Sequence, residues 1–263
     1  MITFSLQSGS NGNSIYVEAD GVRLLFDAGI SGRQAKLRME QHGRQIRDVD
    51  ALLLSHDHSD HVRCAGIFQR LFGIPIYVTE PTYGIARRQL GSVPDVRHFR
   101  AGESISFGPV TVHSHRTAHD AADGVAFVVE CQRQRLGIFT DLGHPFDGLA
   151  ELLESVDAAY LESNYDPIML EEGPYPPLLK ARIRGTGGHL SNEEAAELAL
   201  HCGRRHEWLA LAHLSECNND PQVALETHRS VLGASERLTV AGRYGVSELL
   251  TAVSYTHLRA HET

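Results

Sequence analysis

Short apolar or alternating runs separated by turn residues predict strands at 3–6, 14–18, 22–26, 49–54 and 74–78. The run at 49–54 is continuously apolar, as in a strand covered on both faces. Between these runs, 32–42 is polar-faced with helical spacing and stops at Gly43. A second helix is expected over 61–72, ended by Gly73, and a third over 81–90. The second half repeats the alternation, with strands expected at 104–107, 110–115, 125–130, 136–140, 158–162 and 208–212. Helices are expected at 147–154 and 221–232. Ser191 opens a further helix, with Glu194 three residues on to complete a capping box. The stretch 174–180 is Pro-rich and starts irregularly, and the segment ending near Ala252 reads as helical. Strands mixed with helices, with no short repeat and no splitting linker, predict an α+β arrangement of sheets covered by helices. It forms a single domain over 1–252. Residues 253–263 follow neither apolar period and look like a translated adapter sequence, so they are set apart with His257 and His261.

Composition narrows the class. The chain has 263 residues and a formal charge of −9, from 24 Lys and Arg against 33 Asp and Glu. That balance argues against a protein coated in basic charge, though a local basic patch is compatible with it. No apolar run approaches the roughly 20 residues that cross a bilayer, and the first residues lack the layout of a secretory signal. Cys64, Cys131, Cys202 and Cys217 have no CxxC spacing, which predicts reduced thiols in a cytosol-like compartment. The 16 His therefore have no Cys partners for a zinc finger. Any metal they bind should share them with carboxylates.

The densest chemistry is SHDHSDH, 55–61, directly after the buried strand at 49–54. His56, His58, Asp60 and His61 are all metal-ligand types, and a loop at a strand's end can aim them at one centre. Mixed imidazole and carboxylate sets suit divalent ions such as Zn²⁺ or Mn²⁺.

HxHxDH after a buried strand resembles the signature of the metallo-β-lactamase superfamily. Other motifs fall in its order: Asp27 in FDAG, His119 in TAHD and Asp141 in FTDLGH. Together with GSNGNS, ESNYD, GHLSNEEAA and AHLSECNN, they are similar to the YycJ/WalJ branch of that superfamily. The resemblance spans about 1–245 and implies a four-layer αβ/βα sandwich with a metal site at the edge between two sheets. One departure is Tyr165, where that branch usually has His.

The resemblance implies two divalent metal ions per chain. His56, His58 and His119 would hold the first, and Asp60, His61 and His213 the second. Asp141 would bridge them. His113 and His115 rival His119, but they alternate on a strand face, whereas His119 sits just past the strand. His213 and His189 compete for the final position. His213 directly ends the run at 208–212, as Asp141 ends its own strand, and is preferred. His144 reads as a surface or supporting group.

His189 lies in GTGGHLSNEE, a Gly-rich loop running into a helix start, where free backbone N–H groups and the helix dipole favour an anion. Upstream, Lys180, Arg182 and Arg184 would share one face if extended, and no acid occurs between Glu172 and Glu193. With Gly187, Gly188 and His189 they form a candidate phosphate-binding set. Glu162, His189 and His213 resemble the acid, His and His motifs of nuclease members, in which the middle His contacts the scissile phosphate. Glu162 could equally orient a neighbour.

The expected activity is phosphodiester hydrolysis by a bridging hydroxide, with Asp60, His189 and Glu162 in catalytic roles. Nucleic acid is the expected substrate, and the resemblance implies a 5′→3′ DNA exonuclease. A small-molecule phosphodiesterase is the alternative. A thioesterase or lactonase would need no basic island, and a non-catalytic scaffold would need no complete ligand set.

Overall fold

The computed structural model describes residues 1–233 and 237–252. The suspected adapter tail, 253–263, lies outside the described residues.

Alternation of side chains builds the first sheet. In β2 (Ser14–Ala19) and β3 (Val22–Phe26), Ile15, Val17, Leu24 and Phe26 face inward, while Tyr16 and Leu25 face the other way. β1 (Ile2–Gln7) pairs antiparallel with β2. β4 (Ala51–Leu53), β5 (Ile76–Thr79) and β6 (Val96–Phe99) extend the sheet in parallel beyond β3. All three β4 residues are buried, as the continuous apolar run predicts.

The second sheet begins with the antiparallel strands β7 (Ser104–Phe107), β8 (Val110–Arg116), β9 (Val125–Cys131) and β10 (Gln134–Phe139). β11 (Ala158–Glu162), β12 (Leu209–Ala212) and β13 (Leu238–Val240) then continue it in parallel. The order is β13-β12-β11-β10-β9-β8-β7.

The inner faces of both sheets share one core, in which Phe26, Leu53, Val112, Phe127, Tyr160 and Trp208 are buried. Outside the first sheet, α1 (Gly32–Gln41), α3 (Ala65–Phe72) and α4 (Glu80–Leu90) contribute Ala35, Met39, Phe68 and Leu90 to a second core. Outside the second sheet, α5 (Leu149–Glu154) and α8 (Asn192–His201) contribute Leu149, Leu153, Ala195 and Leu198 to a third. The layers are helix, sheet, sheet, helix, the four-layer αβ/βα sandwich.

Several elements differ from the sequence pattern, each for a local reason. The helix expected over 61–72 is split into α2 (Ser59–Val62) and α3. The Cys64 N–H donates to Ala28 O at 2.9 Å, which ties the chain to the end of β3 and interrupts the helical bonding. The segment expected to end as a helix near Ala252 is instead β14 (Leu250–Thr251), antiparallel to β1. Leu250 and Ala252 are buried between the sheets, and Trp208 Nε1 donates to Thr251 O at 2.8 Å. The Pro-rich stretch becomes α7 (Pro177–Arg184), with Pro at its first helical position. Lys180, Arg182 and Arg184 are therefore helical rather than extended. Ahead of it lies α6 (Pro167–Glu172), capped by Asp166, which accepts from the N–H groups of Ile168 and Met169. α9 (Pro221–Leu232) and the Ser191–Glu194 capping box of α8 match their predicted positions.

Candidate metal centre

Both sheets end at one edge, and the chemistry gathers there. Asp27 follows β3, His56 follows β4, Asp141 follows β10 and His213 follows β12. Asp27, Asp141 and His213 have φ of 63°, 57° and 56°. Non-Gly residues rarely adopt this left-handed conformation, which costs energy and is found where the surrounding structure imposes it. The turn out of each strand is thus bent to aim one polar side chain into the same space.

Close backbone packing fixes the HxHxDH loop. Asn13 N donates to Asp60 O at 2.8 Å, and Gly29 N donates to Asn13 O at 2.8 Å. A Cβ on Gly29 would lie 1.6 Å from Asp60 O, so only glycine fits.

The ligating atoms of His56, His58 and His119 lie within 4.8 Å of one another, and so do those of Asp60, His61 and His213. Asp141 touches both groups. Its Oδ2 is 3.1 Å from His61 Nε2, and its Oδ1 is 3.4 Å from His213 Nε2 and 3.6 Å from His119 Nε2.

Three imidazoles are held by their outward nitrogens. His61 Nδ1 lies 2.7 Å from Asp27 Oδ2, His119 Nδ1 lies 2.7 Å from Gly188 O, and His56 Nδ1 lies 2.9 Å from Ser55 Oγ. Where the partner is a carboxylate or carbonyl, Nδ1 donates to it and Nε2 is directed inward. His56 Nε2 is buried with no hydrogen-bond partner among the described residues. Asp141 Oδ2 has no well-aligned donor among them. Lone pairs and carboxylate oxygens facing one another need a cation between them, and borderline divalent ions match this donor set. The residues fit a metal centre.

Burial disfavours a charged His61, yet the carboxylates of Asp141, Asp27 and Asp60 together hold its pKa well above the usual range. Burial likewise opposes ionisation of Asp141, and the surrounding His213, His61 and His56 outweigh it, keeping the carboxyl well below its ordinary value. His56 has less compensation, and burial drives its pKa well down.

His189 lies beside these groups. Its Nδ1 is 2.6 Å from Glu162 Oε1, and its ring stacks on His213 with centroids 5.2 Å apart. Glu162 is fully buried and its other oxygen accepts from Leu142 N at 2.8 Å, so it orients His189 rather than facing the opening. The opening is a cleft of about 320 Å³ lined by Asp60, His119, Asp141, His189, His213 and Arg182 among others.

The Gly-rich loop differs from the anion cradle expected of it. Gly188 N donates to Gly185 O at 2.8 Å, His189 N to Ile183 O at 3.0 Å, and Asn192 N to Tyr165 O at 2.8 Å. Ser191 N is taken by the Glu194 side chain at 2.8 Å. These amides are spent inside the chain. Gly188 is required by packing, since a Cβ there would lie 2.0 Å from Ile183 O.

The three cations also part company. Arg182 lines the cleft, with Nε and Nη2 at 2.6 and 3.0 Å from the two oxygens of Asp120. Lys180 donates to Glu171 O, and Arg184 Nη2 lies 2.6 Å from Glu171 Oε2. His113 pairs with Ser104 Oγ and His144 with Thr186 O, and neither joins the clusters. Tyr165 is turned into an apolar cluster with Leu170 and Ile183, where burial, with Glu194 nearby, pushes its pKa up to about 12.

A model of the metallo-beta-lactamase superfamily matches residues 8–196. The chain belongs to the metallo-beta-lactamase superfamily. Superfamily members typically bind divalent metal ions, and this member has the side chains to do so. It is 34% identical over 230 residues to exodeoxyribonuclease YycJ of Bacillus anthracis, covering 86% of this chain and 87% of that one. It is also 34% identical over 224 residues to exodeoxyribonuclease WalJ of Streptococcus pneumoniae, covering 83% of each. Among solved structures, the metallo-beta-lactamase fold protein YhfI of Bacillus subtilis superposes with a TM-score of 0.72. It is 18% identical and covers 94% of this chain and 99% of its own, a likeness of fold.

Sequence reasoning overlooked supporting residues of this superfamily member. Asn13 Nδ2 lies 3.0 Å from His61 Nε2 and 3.2 Å from Asp60 Oδ2. Asn164 Nδ2 lies 3.0 Å from His213 Nδ1 and donates to His213 O at 2.8 Å, and Ser8 Oγ accepts from His213 N at 2.8 Å. The signal for Asn13 and Asn164 is present in GSNGNS and ESNYD, which are dense in small amide and hydroxyl residues beside strand ends, and Ser8 directly precedes the first of these motifs.

Proposed function

We propose that this chain hydrolyses phosphodiester bonds in DNA as an exonuclease, using two divalent ions, Zn²⁺ or Mn²⁺, held between its sheets. One observation carries the reading: two triads of ligating atoms are spanned by the single carboxylate of Asp141. The names of the two relatives, both exodeoxyribonucleases, support the substrate.

His56, His58 and His119 would hold one ion and Asp60, His61 and His213 the other, with Asp141 shared. Ions bound there supply Lewis-acid polarisation of a phosphoryl oxygen and a water that ionises near neutral pH. The chain's own groups do the remainder. Glu162 accepts the Nδ1 proton of His189 and fixes the ring, which leaves Nε2 to hold a proton for the departing oxygen. Arg182 is positioned on the cleft wall to take a phosphate oxygen while Asp120 keeps its guanidinium plane in place. Lys180, Arg184 and Gly187 are assigned no direct contact with the scissile group.

The test is a substrate panel with added Mn²⁺ or Zn²⁺. It comprises 5′- and 3′-labelled single- and double-stranded DNA and RNA, bis-p-nitrophenyl phosphate, a thioester and a lactone. The expected result is release of mononucleotides from DNA, beginning at the 5′ end. Thioester or lactone hydrolysis without phosphodiester cleavage would contradict the proposal.

A further inference from the structure

The wall of the cleft opposite in character to the metal ligands is apolar and belongs to one segment. Leu179, Arg182 and Ile183 lie three and four positions apart on α7, hence on one helical face, and all three line the cleft. Tyr175, four residues ahead of Leu179, lines it too. Tyr175 and Leu179 pack from outside against the buried cluster of Tyr165, Leu170 and Ile183, so each has a supported side and a side left to the cleft. Ser215, which follows β12, lines the same cleft. Pro174, Pro176 and Pro177 flank the ring and restrict its backbone. An aromatic ring fixed by packing and by its neighbours loses little freedom when a flat partner lands on it.

We infer that Tyr175 and Leu179 form a nucleobase-stacking subsite that receives the base of the terminal nucleotide while Arg182 takes a phosphate of the same strand. The inference rests on the phosphodiesterase reading proposed above and names what that reading leaves open, the part of the substrate other than the reacting phosphate. The juxtaposition is what a nucleotide requires: an apolar, partly aromatic surface, then a guanidinium one helical turn further on, then the metal ligands. Stacking tolerates any base, because every base has a π-face. The subsite would therefore favour nucleic acid over base-free phosphodiesters without selecting sequence.

The experiment compares an ordinary DNA oligonucleotide with the same oligonucleotide made abasic at the two positions nearest each end. The wild-type chain should show a KM about tenfold lower for the ordinary strand. Tyr175→Leu, which keeps an apolar side chain in the packing, should raise KM for the ordinary strand by about the same factor. It should leave the abasic strand, kcat and metal content unchanged. Tyr175→Phe should retain the preference, and Leu179→Ala should weaken it. Equal KM values for the two strands in the wild type, or an equal loss on both in Tyr175→Leu, would overturn the subsite while leaving the phosphodiesterase reading standing. Cleavage of neither strand by the wild type would instead refute that reading, and the subsite with it.

Discussion

Asp141 faces two demands that its neighbours do not share. It is buried among four histidines, and its two oxygens reach both triads. Replacing it with Ala should lower metal content and reduce DNA turnover by ~10²-fold or more, whereas the circular dichroism spectrum should stay that of the folded chain. The two late histidines should separate by readout. His213→Ala should lose bound metal, since its Nε2 lies 3.2 Å from Asp60 Oδ2 within the second triad. His189→Ala should keep its metal and lose ~10²-fold in rate, because its Nδ1 is engaged by Glu162 at the side of the cluster. Metal analysis beside steady-state rates decides, and metal loss in His189→Ala with full occupancy in His213→Ala would reverse the two roles. Gly29 tests the scaffold under the site. Ala there places a methyl against Asp60 O and should destabilise the chain by roughly 1–3 kcal/mol, read as a lower denaturation midpoint.

At the scale of elements, α7 and α9 make separate predictions. Arg182 faces the cleft while Lys180 and Arg184 are spent on α6. Arg182→Ala should therefore reduce the slope of log affinity against log salt for DNA by about one, and Lys180→Ala should barely move it. Equal effects would restore the expectation of a continuous basic face. In α9, burial pushes the His228 imidazole down to about 4 from its ordinary 6.5. The unfolded chain thus binds the extra proton first as pH falls. The contribution of this group is complete above pH 6.5 and is lost between 6.5 and about 4, by roughly 3 kcal/mol at most. Denaturation midpoints across that window should fall less steeply for His228→Leu than for wild type. These elements also mark how far the sequence was legible. α9 and β3 were visible to the residue, because Pro221 and the Asp20-Gly21 turn punctuate them. The HxHxDH loop was visible because four ligand types crowd the end of one apolar run. α7 was hidden by its prolines, β14 by being only two residues long, and the role of Gly188 by tertiary packing. The amides of the Gly-rich loop could not be counted as spent until Ile183 O and Gly185 O were seen to accept them.

At the scale of the whole molecule, the two sheets meet in one core, and the candidate ligands come from both. His56, Asp60 and His61 follow β4 of the first sheet, and His119, Asp141 and His213 follow strands of the second. Ions shared across that edge would bind the folded chain and not the unfolded one, so they would add to its stability. Dialysis against a chelator should lower Tm and abolish DNA degradation together, and added Mn²⁺ or Zn²⁺ should restore both. No helix among the described residues is long and apolar enough to cross a membrane. The most direct measurement is the metal stoichiometry of the purified chain by mass spectrometry, taken beside its rate of DNA hydrolysis. Two divalent ions per wild-type chain, with loss of ions and rate together in Asp141→Ala, is the predicted result. A folded chain that degrades DNA at full rate with no bound divalent ion would contradict it.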